Sequence, residues 1–115
     1  LGMAKLKQGK PKQARAAFGV LIDLEPEKSV HYLMYGHSAA LENDVEEAFD
    51  YFGKSIKLSA QVDEFADVAA EAFLARGELL LRLGRTVEAR ADLADACTRV
   101  KDPVRRRSIE AYLAA

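Results

Sequence analysis

Tyr35-Gly36-His37-Ser38-Ala39-Ala40-Leu41-Glu42-Asn43-Asp44-Val45-Glu46-Glu47-Ala48-Phe49-Asp50-Tyr51-Phe52 reads as two helices joined by a tight turn. Gly36 and Ala48 are small enough to let two antiparallel helices approach closely. Asn43 is the commonest substitute for glycine where a helix ends in the left-handed conformation. Asp44 followed by Glu47 forms a capping-box pattern at the start of the second helix. Working outward, the glycine, alanine and aromatic recur. Gly2, Ala14 and Phe18 precede Gly36, Ala48 and Phe52 by 34 residues, and Gly77, Ala89 and Leu93 follow them by 41. Self-similarity at about 34 residues is the signature of a stacked helix-turn-helix array. Gly36 is expected against Ala48 and Gly77 against Ala89, with Phe18, Phe52 and Leu93 filling the gap to the next unit.

The repeat resembles the tetratricopeptide repeat (TPR) family. The first unit carries Leu1-Gly2, Gly9, Ala14, Phe18 and Pro26. The second carries Tyr32, Tyr35-Gly36, Ala48 and Phe52, with Asn43 at the turn and Ala60 where the family has proline. The third carries Phe73, Gly77, Gly84, Ala89 and Leu93, with Arg76 before the glycine and Lys101 at the proline position. The resemblance implies an all-α, right-handed helix-turn-helix solenoid of three TPR-like repeats plus a C-terminal helix. The whole chain, 1–115, then forms one domain. Its repeats cover about 1–28, 29–60 and 61–102, and the terminal helix covers 103–114.

Apolar spacing and turn chemistry predict helices over 1–8, 11–24, 29–42, 45–58, 62–83, 86–100 and 103–114. The chain opens on Leu1, mid-helix in the repeat frame. It therefore reads as an excised fragment whose first helix lacks about a turn and a half. The third unit has seven extra residues. The segment 61–70 contains no proline or glycine and keeps helical spacing, which favours a helix across 62–83 projecting about 10 Å beyond its neighbours. The alternative is a longer loop around 59–63. Lys101-Asp102-Pro103 starts a last helix, either a cap with Arg105, Arg106 and Arg107 on its polar face or the first helix of a fourth unit. Val104, Ser108, Ile109, Tyr112 and Leu113 share one side of it, and Ala111 falls 34 residues after Gly77.

With 115 residues, half of them apolar, and no tryptophan, the core must rest on Ala, Leu, Val and Phe. No apolar run is long enough to span a membrane. One cysteine, Cys97, rules out an internal disulfide framework and fits a reducing compartment, as a small core residue. An upstream signal or anchor stays open. Charge is segregated around a net of -1. Residues 1–15 hold five bases and no acid, 16–71 hold twelve acids and three bases, and 72–115 hold six acids and nine bases. Most of these are ordinary solvated charges, although such asymmetry can steer a partner or favour head-to-tail pairing of two copies.

The family's groove positions, carried over residue by residue, are Met3, Leu6 and Lys7 from the first unit. The second unit gives Val30, Leu33, Met34, His37 and Leu41, and the third gives Glu71, Leu74, Ala75, Glu78, Leu81 and Arg82. Some relatives grip a C-terminal carboxylate with Lys, Arg and Asn. Here the matching positions hold Leu33, Met34, His37, Glu71 and Ala75, so that clamp is absent and chaperone tails are not the expected guest. An apolar groove centre suits an extended or helical segment with spaced apolar anchors; Leu33 and Leu74 have packing between first helices as their alternative. His31 and His37 lie six residues apart, off a common helix face, and neither a metal-ligand spacing nor a glycine-rich phosphate loop occurs. His37 is placed to approach Glu71 or Glu78 and to titrate near neutrality. No nucleophile accompanies it, so neither catalysis nor a cofactor is expected. Nucleic-acid binding would rest on the Arg105 to Arg107 run alone and is not expected. The expectation is a protein-binding scaffold. A self-associating dimer module and a bacterial secretion or pilus-assembly chaperone, which also resembles three such repeats, are the rivals.

Overall fold

A computed structural model describes residues 10–60, 62 and 65–114. Among them are six helices and no strand: α1 Pro11–Leu24, α2 Ser29–Leu41, α3 Val45–Ser59, α4 Ala66–Arg82, α5 Thr86–Arg99 and α6 Pro103–Ala114. The helix expected over 1–8 lies outside the described residues. Each helix packs on the next in sequence, and α2 also touches α4. That pattern is a solenoid of helix pairs, with α2–α3 and α4–α5 as its complete pairs.

The turns inside the two complete pairs are copies of one another. Asn43 has φ 61° and Gly84 φ 76°. Asn43 N–H donates to Ala40 O at 3.0 Å and Asp44 N–H to Ala39 O at 2.9 Å. Gly84 N–H donates to Leu81 O at 3.0 Å and Arg85 N–H to Leu80 O at 2.9 Å. Both are Schellman closures, which need a left-handed residue and satisfy the last carbonyls of the helix. Asp44 then caps α3 by accepting from Glu47 N–H at 3.4 Å, while Glu46 and Glu47 in its first turn and Lys57 in its last complement the helix dipole.

Within each pair the glycine gives a large side chain room. A Cβ on Gly36 would meet ring atoms of Phe52 at 2.6 Å, and one on Gly77 would meet Leu93 at 3.0 Å. The nearest neighbour of Gly36 is thus Phe52 rather than the Ala48 expected from sequence. The residues just before these four also face each other. Tyr35 stacks on Tyr51 with ring centroids 4.0 Å apart. At the equivalent positions, 41 residues on, Arg76 Nε and Nη2 donate to the Asp92 carboxylate at 2.7 and 2.9 Å. Arg76 thus occupies the position before the glycine as half of a bidentate ion pair with the buried Asp92.

The seams between repeats show the same exchange. Arg15 on α1 reaches Asp44 at 2.7 Å and Glu42 at 3.3 Å. One repeat later Arg85 lies over the Phe49 ring at 5.7 Å, so the cation has crossed to the other partner. Leu33, Ala39, Ala48, Phe52, Ala72 and Leu79 form one buried cluster. Ala70, Phe73, Leu93, Ala96, Val100 and Ile109 form a second. Ile56 packs against both, which makes the core continuous along the array.

The third unit departs from the long helix expected over 62–83. α4 begins at Ala66, with Val62 outside it. At 17 residues it exceeds the 13 of α2 by four, or about 6 Å rather than 10 Å. The insertion is shared out. Eleven residues precede the α4 glycine against seven in α2, six positions separate α3 from α4 against four between α1 and α2, and α3 has 15 residues against 14 in α1. α6 is joined to the rest by Ile109, which is 3% exposed. Arg105 is ion-paired to Glu71 of α4, and Arg106 donates to Val100 O. Val104, Ser108, Ala111 and Tyr112, expected to share its packing face or a repeat position, are exposed.

Candidate functional site

α2 and α4, the first helices of their pairs, line a recess of about 570 Å³. α2 contributes His37 and Ala40, α4 contributes Ala75, Glu78, Leu79, Leu81 and Arg82, Phe52 closes the floor, and Tyr112 enters from α6. A smaller recess of about 210 Å³ continues it between α4, α5 and α6, and the two share Glu78, Leu81 and Tyr112. The floor is apolar, while Glu78, Arg82 and Tyr112 stand exposed around it.

Five residues expected in the groove from sequence, His37, Ala75, Glu78, Leu81 and Arg82, meet in the larger recess. Leu74 lines the smaller one. Leu33 does not belong to the groove. At 5% exposure it is part of the first core cluster, because the contact of α2 with α4 buries that side of α2. Met34 is half-buried and packs on the same cluster. Val30 and Leu41 are exposed on α2 but line neither recess. Glu71 is engaged with Arg105. Met3, Leu6 and Lys7 lie outside the described residues.

Sequence reading missed Ala40, Phe52, Leu79 and, above all, Tyr112. Tyr112 is 64% exposed and belongs to both recesses. Its spacing three residues after Ile109 marked it as packing, but α6 packs on α5 through Ile109 and leaves Tyr112 exposed.

His37 packs edge-on against Phe52 with centroids 5.4 Å apart and planes at 73°. Burial pushes its pKa down, and the negative charge of Glu71 opposes that shift. The neutral imidazole is therefore the form the folded protein favours at neutral pH. His31 has a different job: its Nε2 lies 3.0 Å from Glu25 Oε1, tying the linker to α2. Among the described residues no group of His, Cys, Asp and Glu is arranged to hold a metal ion, and no helix is long and apolar enough to cross a membrane. What the site offers chemically is burial of an apolar group beside the exposed charges of Glu78 and Arg82.

The family model described as Tetratricopeptide repeat matches residues 1–62, which cover the first two repeats of the frame above. No curated protein matches the chain.

Proposed function

Since the chain belongs to the tetratricopeptide repeat family, whose non-catalytic repeats generally mediate protein–protein interactions, we propose that it is a scaffold holding a segment of a partner protein in the groove between α2, α4 and α6. The observation that carries this reading is the continuous pair of recesses with an apolar floor and an exposed tyrosine at their junction. A helical array leaves its first helices facing a common surface, so a guest can bury apolar side chains in a groove already formed, with little ordering cost. Tyrosine is among the residues that most often carry binding energy when they stand beside such a pocket.

Tyr112→Ala tests the reading. Tyr112 is exposed, so the variant should melt within about 0.5 kcal/mol of the parent, as surface changes do. Binding of a partner segment should weaken by at least about tenfold, the loss expected at an interface anchor. Unchanged binding, with the fold intact, would move the interaction away from the groove.

A further inference from the structure

Glu78 and Arg82 sit one helical turn apart on α4, with the acid first. That order and spacing ordinarily joins two side chains across a helix surface. Here both are exposed, and among the described residues neither has an ion-pair partner. Elsewhere on the same helix Glu71 is held by Arg105 and Arg76 by Asp92. Asp67 is also without an ion pair among the described residues, but it sits in the first turn of α4, where the helix dipole favours an acid. Of the open charges on α4 only Glu78 and Arg82 line the larger recess, beside the apolar Ala75 and Leu81.

Resting on the groove reading above, the geometry points to the chemistry of the guest. It is a peptide segment that sets an apolar side chain into the recess, with a basic residue against Glu78 and an acidic residue against Arg82. The two lie about 6 Å apart, the rise of four helical residues. That separation fits residues one turn apart on a guest helix, or two apart on an extended chain. A guest with the opposite order would meet like charges at both positions, so the pair fixes the direction in which a segment lies in the groove.

The test is a displayed library of short peptides with one fixed leucine and the other positions drawn from Lys, Glu, Gln and Ala. It is selected in parallel on the protein, on Glu78→Arg/Arg82→Glu, on Glu78→Gln/Arg82→Gln and on Tyr112→Ala. Peptides enriched on the parent should carry one preferred order of base and acid around the leucine. That order should invert on the charge-exchanged variant and vanish on the glutamine variant. Transposing the charges in an enriched peptide should weaken it about five- to tenfold, as two exposed pairs turn from attraction to repulsion. The same order on both charged proteins, or leucine with no charge pattern, overturns the assignment. If Tyr112→Ala still weakens those peptides, the groove itself stands. Peptides indifferent to all three variants overturn the groove as well. A library that enriches nothing on the parent also counts against this guest.

Discussion

A methyl group on Gly36 would lie 2.6 Å from the Phe52 ring, whereas one on Gly77 would lie 3.0 Å from Leu93. Phe52 and Leu93 are both buried, at 1% and 2% exposure, so neither can swing into solvent, and the shorter approach at Gly36 is the harder one to relieve. Gly36→Ala should therefore destabilise by about 1–3 kcal/mol despite the better helix propensity of alanine. Gly77→Ala should cost distinctly less, and urea midpoints of the two variants measure the difference. His37 sets a pH dependence. Its folded pKa is depressed below the ordinary 6.5, chiefly by burial. The unfolded chain therefore takes up a proton that the folded chain resists, and stability present above that pH is lost as pH falls through it. Glu71 reduces the effect, and Glu78 and Arg82 share the recess with the ring. Between about pH 7.5 and 5.5 the urea midpoint should fall more steeply in the parent than in His37→Gln, where this titration is absent. Parallel slopes would remove His37 from the account.

Between elements, the position filled by stacked Tyr35 and Tyr51 in one repeat is filled by Arg76 and Asp92 in the next. Asp92→Asn leaves a half-buried guanidinium without its countercharge and should cost about 2–4 kcal/mol. Arg76→Tyr combined with Asp92→Tyr copies the neighbouring repeat and should return to within about 1 kcal/mol of the parent. Chemical denaturation of the two variants decides it, since a double variant as weak as Asp92→Asn would show that the two positions are not equivalent. Helices and turns were legible because their signals are local: Asn43 and Gly84 need only their own φ, and Asp44 needs only Glu47 three residues on. The start of α4 was not. Nothing in 61–70 marks a stop, but Val62 and Phe65 are exposed, so no packing rewards carrying the helix back through them. That information lies in tertiary contact, not in the spacing.

Along the whole molecule, Ile56 joins the two buried clusters and Ile109 brings α6 into the second. Ile109→Ala should cost about 2–4 kcal/mol. It should also weaken groove binding, because Tyr112 sits less than one turn away on the same helix. A thermal melt and a peptide titration on one sample check both, and an unchanged affinity would detach α6 from the groove. The site was legible only in part, and for the same reason. His37, Glu78, Leu81 and Arg82 follow from the repeat frame. Leu33 is hidden by the packing of α2 on α4, and Tyr112 is left exposed where α6 packs through Ile109, neither of which a single helix records. The Tyr35–Tyr51 and Arg76–Asp92 pairs stand apart from the lining of the larger recess. Mutations that exchange one kind of adhesive for another between helices need not disturb what the concave side recognises. Durability and recognition can then evolve on separate schedules, with drift in the first leaving the second intact.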